Sequence, residues 1–153
     1  MVGRRPYACG FSLIEIMITL LLVGVLGLMA GPFTVSWLHL SEIQRAKGTL
    51  IQAHGIAKAA ALRNRQGLQA EAAVVAIRVD GENNRLALVS CPDSNGCSEE
   101  ELWAAQIPSG VTLSFTGLGA SEIEFDNTGS LIGSNQVGYQ ISKGKELQDG
   151  TLY

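Results

Sequence analysis

The chain is poor in the residues that enzymes use, and each shortage narrows what it does. After His54 there is no histidine, and before it only His39. No His-Glu-x-x-His run is present, no glycine-rich loop ending in Lys-Ser or Lys-Thr, and no Gly-x-Ser-x-Gly elbow. That removes zinc peptidase, phosphate-cradling and serine-hydrolase chemistry. The fourteen acids offer carboxylate pairs only by chance, so no catalytic residue, cofactor or metal is expected. Charge is missing in a second way: from Ile16 to Leu40 no side chain is charged at neutral pH, apart from what His39 carries. The first ten residues hold Arg4 and Arg5 but no acid. Cysteines number three.

What fills the uncharged stretch is leucine, isoleucine, valine and methionine. At 1.5 Å per residue, 25 helical residues reach roughly 37 Å against a hydrocarbon core of about 30 Å, enough to cross a bilayer with some tilt. One acid, Glu15, sits just inside its N-terminal edge. An unpaired carboxylate at that depth costs up to about 3 kcal/mol, so it requires a partner. A secretory signal would place its small-residue cleavage point after the apolar segment. Here the small residue, Gly10, lies before it, and a cut there leaves the apolar run as the new N-terminus with Glu15 as its fifth residue.

The run Gly10-Phe11-Ser12-Leu13-Ile14-Glu15-Ile16, behind a short basic leader, resembles the signal of type IV pilins and type II secretion pseudopilins. The resemblance implies that a membrane-embedded prepilin peptidase cuts between Gly10 and Phe11 and that the Phe11 amine is methylated. It implies that Glu15 pairs with the N-terminal amine of a neighbouring subunit, which supplies the partner the carboxylate lacks. Pro32 falls where many pilins have a proline that loosens the helix. A proline inside a helix removes one backbone bond and clashes with the turn before it, so with Gly31 beside it a kink or melted turn is expected there on physical grounds as well. A twin-arginine signal lacks its downstream Phe-Leu pair. A lipidated Cys9 would precede rather than follow its hydrophobic region, and an ordinary single-pass anchor explains neither Gly10-Phe11 nor Glu15.

The chain's net charge of −3 is unevenly spread. Residues 42–65 hold five bases and one acid, whereas residues 66–153 hold four bases and twelve acids. An acidic C-terminal region argues against a broad positive face for nucleic acid. Nor does the run Gly144-Lys145-Glu146-Leu147-Gln148-Asp149-Gly150 contain an arginine, unlike the arginine-rich tail of DNA-binding pilins. Four segments follow: a leader, 1–10; a transmembrane and assembly half of a helix, 11–40; an amphipathic half, 41–66; and one small periplasmic β-rich domain, 67–153.

In the amphipathic half, Ile43, Ala46, Leu50, Ala53, Ala57, Ala60, Ala61 and Asn64 recur at three- and four-residue steps, a stripe of mostly small side chains suited to close packing. The helix is expected from near Phe11 to about Arg65, broken only near Pro32 and stopped by Gly67. Beyond it the period becomes strand-like. Val74–Val79 and Arg85–Val89 flank the turn chemistry of Asp80-Gly81-Glu82-Asn83-Asn84 and predict a hairpin. Further strands are expected at Val111–Phe115, Ser121–Phe125 and Val137–Ser142, with a short one at Leu131-Ile132. Turns are expected at 117–119, 126–129 and 133–135, and Glu99-Glu100-Glu101 read as an exposed acidic surface feature, the alternative being a short helix that Ser98 caps and that takes in Leu102-Trp103. The fold class is therefore α+β: a long N-terminal helix, hydrophobic then amphipathic, packed on a small antiparallel sheet. That is the pilin architecture, and the later strands loosely resemble GspH/FimT-like heads.

With the leader removed, Cys9 goes with it, leaving Cys91 and Cys97 in the exported domain. An even pair around Pro92-Asp93-Ser94-Asn95-Gly96 suggests a disulfide-closed loop in an oxidising periplasm; two thiols without a nearby histidine make a poor zinc site. The expected role is a structural minor subunit of a type IV pilus, with a type II secretion pseudopilin and a DNA-uptake pilin as the alternatives. Expected partners are other pilin or pseudopilin subunits, the prepilin peptidase, an inner-membrane assembly platform and membrane lipid. The expected place is the inner membrane with a periplasmic C-terminal domain, and a pilus or pseudopilus after assembly.

Overall fold

A computed structural model describes residues 10–69, 72–92, 96–97, 100–116 and 122–153. The leader arginines Arg4 and Arg5, Cys9, the Ser98 cap and the turn at 117–119 lie outside the described residues. One helix, α1, runs from Leu13 to Arg63. Its first turn is closed by the Ser12 carbonyl, which accepts from the main-chain N–H of Glu15 at 3.0 Å and of Ile16 at 3.3 Å. The helical backbone continues through position 32, so no melted turn interrupts it there. It ends at Asn64, earlier than the expected Gly67. Asn64 adopts the left-handed backbone (φ 36°), and its side-chain amide donates to the Leu68 carbonyl at 2.8 Å while accepting from the Leu68 N–H at 2.9 Å. Asparagine tolerates that conformation better than other side-chain-bearing residues, and its own hydrogen bonds replace those of the missing next turn.

Residues 1–37 and 38–153 are separate compact units. In the second unit seven strands follow the helix: β1 Val75–Asp80, β2 Arg85–Ser90, β3 Glu101–Gln106, β4 Thr112–Thr116, β5 Glu122–Phe125, β6 Val137–Lys143 and β7 Glu146–Leu152. They form two antiparallel sheets, one ordered β3-β2-β1-β5 and one ordered β4-β6-β7, where one sheet was expected. The predicted hairpin is β1-β2, closed at Asp80↔Arg85. The Asp80 carboxylate accepts from the N–H groups of Glu82 and Asn83 and from the Asn83 side-chain amide at 2.6 Å. Leu131 makes one bridge to Phe125 instead of a strand of its own.

Leu102-Trp103, for which the sequence offered a short helix as the alternative to an acidic surface feature, are part of β3, paired with β2 through Leu88↔Trp103 and a bulge at Leu88/Val89. β7 was not anticipated at all. Its polar sequence ELQDGTL is drawn into register by β6 over seven pairs, from Val137↔Leu152 to Lys143↔Glu146.

The core joins both sheets to one face of α1. Ile43, Ala46, Leu50, Ala53, Ala57 and Ala61 are fully or almost fully buried, in one cluster with Ile77, Leu88, Phe125 and Ile141. Alternation puts Val75 and Ile77 of β1 in that cluster. Ala76 faces the other way, in a small second cluster with Val89 and Cys91 packed against Ala73 and Cys97. Cys91 and Cys97 thus lie on the far side of the larger sheet.

His54 sits among these groups with its ring 5.5 Å from that of Phe125 and a buried Nε2 without a hydrogen-bond partner among the described residues. Burial, helped by the Lys58 ammonium, lowers its pKa from 6.5 against a main-chain hydrogen bond to Tyr153. A histidine with a lowered folded pKa contributes stability that is present above about pH 6.5 and lost as pH falls through the folded value. Asp80 and Asp126 titrate below 3.8, outside that window: hydrogen bonds, first from the Asn83 side chain, lower Asp80, and at Asp126 bonds from Thr128, Ser130 and Gly129 outweigh the upward pull of burial. The unfolding midpoint of the chain in detergent should therefore drop between pH 7.5 and 5, and His54→Gln should flatten that slope; an unchanged slope in H54Q contradicts the assignment. A second test concerns the Tyr139↔Gly150 pair. A Cβ on Gly150 would lie 2.3 Å from the Tyr139 hydroxyl oxygen, so Gly150→Ala should cost about 1–3 kcal/mol in urea unfolding.

Candidate functional site

The feature that sets this chain apart from an ordinary small α+β domain is the first half of α1. Between Leu13 and Leu40 the large apolar side chains that the structure describes are exposed, Leu28 to 84%. The most apolar window of the helix has a mean hydropathy of 2.5 and none of it is buried, so α1 is long and apolar enough to cross a membrane. Burying one such side chain is worth about 1.5–3 kcal/mol, and more than a dozen are left uncovered.

Gly10, Phe11 and Ser12 precede the helix, and Gly10 and Phe11 are exposed. The bond between them therefore lies in irregular, accessible backbone directly before the first turn. Glu15 stands in that first turn, four residues past Phe11, where a negative charge also suits the positive end of the helix dipole. Glu15 and Pro32 lie on α1, and Phe11 stands two residues before its start. Cys91 and Cys97 lie in the other unit, joined to each other by a disulfide.

The acids and bases of the second unit are largely committed to structure. Arg78 pairs with Glu122 at 3.3 Å, Arg85 with Glu101, and Lys143 with Glu42. The Lys58 ammonium donates to the Tyr153 main-chain oxygen and the Lys143 ammonium to that of Ser109 at 2.8 Å. These are rim contacts worth little singly, but they tie β6 and the last residue to α1. Among the described residues no three His, Cys, Asp or Glu side chains are grouped to hold a metal.

One feature escaped the sequence pattern. Between the last turns of α1 and the β3 side of the larger sheet lies an open groove of about 370 Å³. Ile56, Ala60, Val74, Leu88 and Leu102 line it, with Arg63 and Arg65 among its polar residues. Of the helix residues only Ala60 belongs to the stripe read from spacing, and the opposite wall depends on β3, which the sequence did not show as a strand.

A family model described as the prokaryotic N-terminal methylation motif matches residues 5–31. No curated protein and no solved structure matches the chain. The motif marks the type IV prepilin signature and supports a pilin or pseudopilin precursor, a structural and not an enzymatic family. It implies processing by prepilin peptidase and assembly with other pilin subunits, and with the apolar helix it fits membrane anchoring of a soluble C-terminal domain. With that motif over the start of a 51-residue N-terminal helix, followed by two antiparallel sheets, the chain fits a type IV pilin-like protein.

Proposed function

We propose that this chain is a minor structural subunit of a type IV pilus, matured by cleavage between Gly10 and Phe11, methylated at the Phe11 amine, and held in the filament through Glu15 and the apolar half of α1. The observation that carries this reading is the combination of an uncovered apolar helix with a single carboxylate in its first turn. A plain anchor has no use for that acid, and each unsatisfied charge in hydrocarbon is a standing cost. In a filament of like subunits the nearest available cation is the new α-amine of the adjacent chain, displaced along the helix by a few residues. The same apolar surface then serves twice, first against lipid and afterwards against neighbouring helices. Pro32 contributes a local weakness in the helix: it has no N–H to give to the turn before it, which makes bending at that point cheap. The periplasmic head, its sheets fastened to the amphipathic half, is carried outward with the helix.

Glu15→Ala should leave export and cleavage intact and reduce incorporation into filaments to a small fraction of wild type, measured by immunoblot of sheared pili against the membrane fraction; wild-type incorporation of E15A removes the pairing role. Gly10→Val should leave a leader-bearing form, about ten residues heavier by intact mass, in place of a chain that starts at Phe11. A mature chain beginning at any other residue overturns the processing site.

A further inference from the structure

The turn between β6 and β7 is unaccounted for by the assembly role of the apolar half. Leu38, His39 and Leu40 close the uncharged run and belong to the same compact unit as the strands. Leu38 and Leu40 are exposed, whereas His39 is half-buried against that turn: a Cβ on Gly144 would lie 3.1 Å from the His39 ring. Gly144, with φ 61°, takes the first central position of the two-residue turn, where a side chain would be strained. Two side-chain contacts fasten the turn to the helix just past His39, Lys143 to Glu42 and Gln44 to Gln148 at 3.1 Å. Whatever medium surrounds Leu38 and Leu40 therefore also meets the turn.

Lys145 stands at the tip of the turn, exposed and without an ion pair among the described residues. Arg45 and Lys47 are likewise unpaired among the described residues. They lie roughly 8–10 Å past Leu40 along the helix, a distance their long side chains can span. The acids beside them are already engaged, Glu42 by Lys143 and Glu146 by an interaction of its own. Leu147, next on β7, is 57% exposed and sets an apolar side chain beside the lysine, and Asp149 lies further from the turn. Two more acids, Asp80 and Glu82, belong to the β1-β2 turn, which shares a hollow with Gly110, the residue against the Lys143 side chain. This end of the head thus carries unpaired cations on its β6-β7 side and acids on its β1-β2 side.

Resting on the membrane-spanning part of the reading above, we infer that the β6-β7 turn is a bilayer contact, in which Lys145, with Arg45 and Lys47, takes the phosphates of anionic phospholipids and Leu147 enters the headgroup layer. Continuity with the apolar run fixes the occupant: lipid that surrounds Leu38 and Leu40 ends in phosphates at the height of the turn, and phosphates complement unpaired cations. An anionic surface draws the β6-β7 side of the head down and repels the Asp80 side, so it sets which way the head leans.

The test uses the full-length chain with Cys9→Ser, so that a nitroxide attaches only to an introduced cysteine; absence of label on C9S alone checks that Cys91 and Cys97 stay joined. The chain is placed in phosphatidylcholine vesicles with or without phosphatidylglycerol and labelled at Leu147→Cys or at Ser130→Cys. Ser130 follows Gly129, which lies against Leu62, roughly 35 Å along the helix from His39. With phosphatidylglycerol, the ratio of oxygen to nickel-chelate collisions, which cancels local crowding, should be several-fold higher at 147 than at 130. Lys145→Glu should lower the ratio at 147 towards that at 130, since one lysine at such a surface is worth roughly five-fold in occupancy, and should change little without phosphatidylglycerol. Equal ratios at 147 and 130 in a chain that floats with the vesicles overturn the contact and leave the membrane span standing. An unchanged ratio in K145E, or the same change without phosphatidylglycerol, overturns the phosphate assignment. A chain that does not float with the vesicles removes the membrane span and this contact together.

Discussion

Close approach of α1 to two sheets at once is the constraint on which the head depends, and alanine makes it possible. Ala46, Ala53, Ala57 and Ala61 lie under the strands with essentially no exposure, and only Ile43 and Leu50 on that stripe bring bulk. Larger side chains there would push the helix off the strands and open gaps that dense protein interiors do not tolerate. The bulk comes instead from the sheets, in Phe125, Ile77, Leu88 and Ile141. One helix face thereby covers parts of both sheets, and the strands need no second helix. The arrangement also leaves the β3 side of the larger sheet under-covered, and the groove is the space that results.

The helix stripe, the β1-β2 hairpin and the cysteine pair were legible because each is a local pattern with its own physics. Apolar residues at helical steps, turn residues between alternating runs, and two thiols six residues apart are each readable on their own. β3 was not legible. Glu99-Glu100-Glu101 after Ser98 carries the signature of a helix N-terminus, and Ala104-Ala105 favours helix as well. Pairing with β2 overrode that preference, with a bulge to absorb the misfit. β7 was invisible for a different reason: only Leu147 and Leu152 on it are aliphatic, and Leu147 points outward. Its strand state is imposed by β6 and by Tyr139, which packs over the one position, Gly150, where a side chain has no room. The split into two sheets follows from pairings between distant strands, which no local pattern encodes.

The bases of the amphipathic half also read differently in three dimensions. By spacing, Arg45, Lys47, Lys58, Arg63 and Arg65 all fall off the apolar stripe, which leaves both a solvated face and contact with a charged neighbour open to them. In the fold Lys58 holds the Tyr153 main chain, while Arg63 and Arg65 border the groove. Glu42, the one acid among them, is taken by Lys143. Charge here is therefore divided between fastening β6 and Tyr153, through Glu42 and Lys58, and bordering the groove, where Arg63 and Arg65 have no acidic partner among the described residues, and a count of charges could not distinguish the two uses.

Energetics connect the two units. A domain of this size has a net stability of about 5–15 kcal/mol. The apolar side chains left bare between Phe11 and Leu40, at about 1.5–3 kcal/mol each, together exceed that margin. Those side chains are bare in the unfolded chain as well, so they do not unfold the helix; what they do is drive the first half of α1 out of water, into lipid or against other apolar surface. Lipid satisfies the leucines, isoleucines and valines equally well at every position. It does not satisfy Glu15, because a bilayer offers a carboxylate at that depth no counter-charge. On the proposed subunit reading, a neighbouring helix covers the same apolar side chains and brings, at its amino end, a cation of the right sign, so that the acid which lipid treats badly favours leaving lipid for a filament.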